Sequence, residues 1–189
     1  MYADTGSWAS GNDINTGRAY GRNTGIQTAC IYFGGHTAPQ THAITEEYDG
    51  SSWTEVGDLN ATRKSMASFG TATAAVATGG DLYPSPTRHV SVNEEWNGST
   101  WTEVTDLPTT KAGGSGAGII TAGLVMCGTN PGNTKTTFEY DGTNWTDGGD
   151  SNSFHSDGGY ISAGTQTAGL IVGGGPGPTA NCELYNGTG

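Results

Sequence analysis

The residues with the types and spacing that chemistry needs are four histidines, two glutamate pairs and one glycine-rich run. His36 and His42 stand six apart in HTAPQTH, close enough to share a ligand, whereas His89 and His155 are isolated. No H-E-x-x-H and no Cys/His cluster accompanies them, so the pair reads as loop histidines rather than a metal site. Glu46-Glu47 and Glu94-Glu95 offer the paired carboxylates of glycoside hydrolysis. Neighbouring residues on a strand point to opposite faces, however, and recurrence of the pair marks a scaffold role. GGGPGP, from Gly173, lacks the Lys-Ser/Thr and following helix of a phosphate loop. No D-x-D-x-D run offers a calcium ladder. The expectation is a protein without catalytic residues, metal or cofactor.

The elements that must position these residues are set by repetition. The phrase G-x-x-T-A-x-x-x-x-[GC]-G begins at Gly25, Gly70, Gly118 and Gly164, at intervals of 45, 48 and 46 residues. A period of that size marks one supersecondary unit copied along the chain. A second phrase reads EEYDGSSWTEVGDL from Glu46, EEWNGSTWTEVTDL from Glu94 and FEYDGTNWTDGGDS from Phe138. The last copy, CELYNGTG from Cys182, stops before its tryptophan. Asp-Gly and Asn-Gly tolerate the positive φ of tight hairpins, so each copy predicts a strand ending in an aromatic and a return strand carrying Trp53, Trp101 or Trp145. Ten residues beyond the tryptophan comes a basic residue: Trp53 to Arg63, Trp101 to Lys111, and Trp8 to Arg18. Seven further on lies the glycine of the opening phrase; counted back from Gly164, the fourth copy has Asp157 there instead.

Each unit therefore predicts four antiparallel strands. Strand a follows the basic residue, b ends in paired glycines (Gly34-Gly35, Gly79-Gly80, Gly173-Gly174), c ends in the aromatic and d carries tryptophan. The paired glycines permit sharp turning and close backbone approach. The whole is an all-β chain, a β-propeller of four four-stranded blades in one domain, 1–189. The units run approximately 12–58, 59–106, 107–150 and 151–189, with 1–11 as a closing outer strand. That strand would set Trp8 beside Tyr185, finish the last blade and leave no sheet edge. Two chains forming a larger ring, or a fragment of a longer polypeptide, are the alternatives.

The unit closely resembles the kelch repeat in its paired glycines, following aromatic, tryptophan and period. Its dialect, T-x-T-A-x-x-x-x-G-G followed by EEYDGSSWTEVGDL, is similar to kelch-like repeats in tail-fibre and other virion proteins of marine bacteriophages. That resemblance implies a non-enzymatic virion or appendage protein, assembled in the host cytoplasm and contacting other virion proteins or a host-surface glycan or protein. An intracellular interaction adaptor and, behind it, a carbohydrate-active enzyme are the competing expectations. Oligomer formation stays open.

Composition narrows the partners. The formal charge is −11, from 18 acidic and 7 basic residues, and such a surface repels phosphate backbones, so nucleic acid is not expected. MYADTGSWAS has neither a basic nor an apolar signal region, and no apolar run is long enough to insert in a membrane. Cys30, Cys127 and Cys182, an odd and widely spaced set, give no disulfide framework. What varies between copies is the loop joining strands b and c. These loops and the basic corners define the candidate binding face: His36, His42, Tyr83, Arg88, His89 and Asn130, with Arg18, Arg63 and Lys111 at the rim. The competing reading makes the basic residues structural, bonded to carbonyls. The tryptophans are expected to pack blade against blade.

Overall fold

Short β-branched and aromatic runs cut by Gly, Asn and Asp turns cannot sustain helices, and the described residues contain none. The computed structural model describes residues 7–84, 89–156 and 161–187. Blade one runs through β1 (Arg22–Ile26), β2 (Ala29–Phe33), the two-residue strands β3 (His36–Thr37) and β4 (Gln40–Thr41), β5 (Thr45–Tyr48) and β6 (Trp53–Glu55). Blade two holds β7 (Ala67–Gly70), β8 (Ala75–Thr78), β9 (Asn93–Trp96) and β10 (Trp101–Val104). Blade three holds β11 (Ser115–Ile119), β12 (Ala122–Met126), β13 (Thr129–Asn130), β14 (Gly132–Asn133), β15 (Thr137–Tyr140) and β16 (Trp145–Asp147). Blade four holds β17 (Ile161–Thr165), β18 (Ala168–Val172) and β19 (Cys182–Tyr185).

Each blade is an antiparallel meander in the expected order, β1-β2-β5-β6 in the first and its counterparts in the next two. The four sheets are arranged as a four-blade β-propeller. In every sheet the opening phrase makes the inner hairpin, as in the pairing of Arg22–Ile26 with Phe33–Ala29. The Asp/Asn-Gly turns then join strand c to strand d, with Tyr48 opposite Trp53, Trp96 opposite Trp101 and Tyr140 opposite Trp145.

Apolar side chains fill the spaces between blades. Ile31 and Phe33 of blade one meet Met66, Ala75, Trp96 and Trp101 of blade two. Phe69 and Val76 of blade two meet Val125, Phe138, Tyr140 and Trp145 of blade three. Leu124 and Met126 of blade three meet Ile171 of blade four, with Tyr185 at the margin. The expected tryptophan packing is present at two seams. Trp101 stacks edge-on at 4.8 Å from Phe33 and donates its indole N–H to Thr45 Oγ1 across the seam. Trp145 donates to the Thr105 carbonyl of blade two. Buried aromatics of this size cover roughly 150–250 Å² each, which makes them the main ties between blades.

The fourth sheet has three strands among the described residues. Residues 1–6, the greater part of the expected closing strand, lie outside the described residues. Trp8 is described, and the expectation that it packs beside Tyr185 is corrected: its exposure is 104%. The segment that follows is held on blade one. Asn12 Nδ2 donates to the Ser51 carbonyl, Asn15 N–H to Glu46 and Arg18 to Gly34, so the linker is anchored to blade one. No comparable bond among the described residues fastens residues 7–11 to β19.

Candidate functional site

Each blade begins at a corner built by one Arg, Lys or His side chain. Arg18 donates from Nε to the Gly34 carbonyl at 2.8 Å and is ion-paired with Glu46, both side chains fully buried. Arg63 repeats this with the Gly79 carbonyl at 2.7 Å and Glu94 at 2.5 Å. Lys111 donates to the Cys127 carbonyl at 2.6 Å and the Thr136 carbonyl at 3.1 Å. In blade four the position is taken by His155, with Nδ1 donating to the Gly173 carbonyl and Nε2 lying 3.0 Å from Glu183. The glycine pair is what admits the next corner. Gly79 has φ +65°, and a β-carbon there would lie 2.2 Å from the Lys111 carbonyl oxygen. Carbonyls meet the side chain at every corner, joined by a carboxylate at Arg18, Arg63 and His155, as burial of polar groups requires.

The carboxylates are saturated in turn. Asn15, Asn60 and Asn152 each donate their backbone N–H to the corner glutamate, at 2.6, 2.7 and 2.6 Å. Burial by itself would raise the Glu183 carboxyl, but donation from His155, Asn152 and Ser153 outweighs it and holds the group at about 2. The acid that follows the corner position faces the next blade in two cases: Glu95 accepts from the Tyr140 hydroxyl at 2.8 Å and Glu139, which follows Phe138, from Tyr185 at 2.5 Å. Glu46, Glu94, Glu95 and Glu139 therefore tie strands and blades together.

Outside these buried corners lies the rim, where the residue after each corner residue bridges the residue after the Gly-Gly or Cys-Gly that ends strand b. The bridges are Ala19 with His36, Lys64 with Asp81, Ala112 with Thr129 and Ser156 with Gly175. At the corner between blades one and two this brings rings and charge together. The His36 ring stands edge-on to Tyr83, centroids 5.0 Å apart. The Lys64 ammonium lies 4.7 Å from the Tyr83 ring and 5.3 Å from that of Tyr20, within cation–π range of both. Thr41 Oγ1 donates to the Tyr83 carbonyl and fixes that loop to blade one. Desolvation, then the charges of Lys64 and His42, hold the His36 imidazole below its ordinary value against a smaller pull from Asp81, so the ring is neutral at pH 7. Nε2 of His36 and of His42 is shielded from solvent and has no hydrogen-bond partner among the described residues.

The structure therefore gathers His36, His42 and Tyr83 of the expected binding residues at one corner. His89 is near, its backbone bridged to Asp81. Arg88 lies outside the described residues. Asn130 belongs to blade three, where its Oδ1 accepts from Thr110. Arg18, Arg63 and Lys111 are corrected from rim contacts to buried corner residues, because each cation is turned inward onto glycine-pair or cysteine carbonyls. Lys64 and Tyr20 were not anticipated; the signal was their place one and two residues past the corner cations Arg63 and Arg18. His155 was missed too, although it stands ten residues beyond Trp145 as Arg18, Arg63 and Lys111 do beyond their tryptophans. Asp157, expected at that corner, lies outside the described residues.

A neutral imidazole beside two phenols and one ammonium can stack, hydrogen-bond and attract an anion. It offers no nucleophile with an adjacent base. Among the described residues no group of three or more His, Cys, Asp or Glu could hold a metal ion. No described helix is long and apolar enough to cross a membrane. Compared with protein-family models and with curated protein sequences, the chain matches none.

Proposed function

We propose that this propeller is a non-enzymatic recognition module carried on a bacteriophage particle, a kelch-like appendage whose loop rim contacts a host-surface glycan or protein. The reading is carried by the rim corner of His36, His42, Lys64, Tyr83 and Tyr20, assembled from the loops that differ between blades on a scaffold of buried ion pairs. Aromatic rings with adaptable polar neighbours on rigid supports are what recognition of sugars and peptide surfaces uses. The repeat dialect supports the virion assignment, and the charge of −11 favours partners other than nucleic acid.

Mass spectrometry of purified phage particles should find the chain among virion proteins; its absence from them would sink the assignment. Binding to host-envelope polysaccharide and protein fractions should weaken about tenfold or more in Tyr83→Ala and Lys64→Ala, while circular dichroism stays unchanged. Release of shortened glycans during such an incubation would refute the non-enzymatic part.

A further inference from the structure

We infer that the segment Trp8–Ser10 is an outer strand for a second copy of this chain: in a twofold pair, each copy lays it along the free edge of the other's β19. This is independent of what the rim binds. Three sheets carry a strand d whose tryptophan stacks on the aromatic ending strand c. The ring centroids are 5.0 Å apart for Tyr48 and Trp53, 5.4 Å for Trp96 and Trp101, and 4.5 Å for Tyr140 and Trp145. In the fourth sheet Tyr185 ends strand c with no such strand beside it among the described residues.

The segment has the residues that edge calls for. Trp8, Asp13, Asn15 and Arg18 repeat the spacing of Trp53, Asp58, Asn60 and Arg63. From Asn12 onward the path is repeated as well, since Asn15 Nδ2 donates to the Trp53 carbonyl as Asn60 Nδ2 does to that of Trp101. Asp58 and Asp106 each accept the backbone N–H that opens strand c, from Thr45 and Asn93. The fourth-sheet counterpart of those donors is Cys182, and Asp13 stands exposed. Carried over from blade one, the register sets Trp8 against Tyr185, Ala9 against Leu184 and Ser10 against Glu183. Gly11 then faces Cys182.

Two uncovered apolar surfaces point to a second copy as the occupant. Trp8 is 104% exposed and Leu184, on the free edge, 80%. Leu170 and Val172 occupy the positions that Ile31 and Phe33 fill inside blade one's cluster, yet they are only half-buried. Apolar clusters fill the first three seams, and the described residues form none between blades four and one. Among the described residues of one chain nothing covers either surface. A twofold exchange covers both at once with a self-complementary interface.

Light scattering and native mass spectrometry of the full chain across a concentration series test this. A dimer is expected, and Trp8→Ala should raise its dissociation constant at least about 30-fold without altering circular dichroism, since Trp8 is exposed in its own chain. In a Cys30→Ser background, Gly11→Cys should oxidise with the native Cys182 to an interchain disulfide, seen as a covalent dimer lost on reduction. A monomer at every concentration, a dimer unaffected by Trp8→Ala, or a disulfide from the introduced thiol to Cys182 of the same chain would each overturn it.

Discussion

The corner residues change as sets. Two corners pair Arg with Glu and Asn (Arg18, Glu46, Asn15; Arg63, Glu94, Asn60), and blade four keeps the Glu and Asn around His155. Blade three replaces all three, with Lys111, Phe138 and Pro108. Proline has no N–H to give, and phenylalanine needs none, so the absence of one donor fits the absence of the acceptor. Lys111 then turns to carbonyls and Thr136 Oγ1, its ammonium 5.2 Å from the Phe138 ring. Glu94→Ala would leave the Arg63 guanidinium buried without its counter-ion, and should cost about 3–5 kcal/mol by urea denaturation. Lys111 gives a pH signature. Burial lowers its ammonium to about 8, against smaller upward pulls from Cys127 and Asp150. An unfolded lysine titrates near 10.4, so between about 8 and 10 the unfolded chain holds the extra proton and this group's contribution to stability rises with pH. The melting temperature of the wild type relative to Lys111→Met should therefore climb across that window and stay level below it. The raised Cys127 thiol acts in the opposite direction, but is common to both proteins.

At the scale of elements, hairpin chemistry read from the sequence corresponds to local bonds. Asp49 Oδ1 accepts from the backbone of Ser52 and Ser51, both at 2.8 Å, which holds its carboxyl at about 2; Asn97 does the same with Ser99 and Thr100. Such turns were legible because donor and acceptor lie within three residues. Contacts between inner strands were not. Asn23, Ser68, Gly116 and Ser162 occupy one position in the four blades, and Ser68 and Ser162 donate to the carbonyls of Asn23 and Gly116 in the preceding blade. Gly116 has an ordinary strand conformation, yet a β-carbon there would sit 2.3 Å from the Ser68 carbonyl oxygen. Gly116→Ala must then push blades two and three apart and should cost roughly 1–3 kcal/mol in a denaturant titration, where a strand glycine free of neighbours would tolerate alanine.

At the scale of the molecule, the rigid scaffold and the residues that vary between blades occupy different layers. The buried corners and the three apolar seams make the scaffold, while the bridges between each corner and its b–c loop carry variable residues out to the rim. Around the axis, Arg22, Asn23, Ser68, Ser115 and Ser162 line a polar cavity of about 290 Å³. Its inner strands are spaced by serine and glycine, which keeps the axis from becoming a dry core. The seam between blades four and one differs from the rest, with Leu184 and Trp8 both uncovered. The dimer measurement and the particle analysis address different layers, so either can fail without the other.

The four-fold phrase, the Asp/Asn-Gly turns and the tryptophan offsets determined the strand order, the meander and the number of blades, because these depend on local periodicity and turn stereochemistry. They also identified His36, His42 and Tyr83 as loop residues. Tertiary structure alone decided which way the long side chains point. Arg18, Arg63 and Lys111 can snorkel to a rim or fold inward, and the choice turns on carbonyls and carboxylates 16 to 31 residues away. It likewise placed His155 at the fourth corner, through partners 18 and 28 residues further on. The position of Trp8 was settled in the same way: its spacing matches an outer strand, but its side chain stands exposed while the segment from Asn12 onward is bonded to blade one.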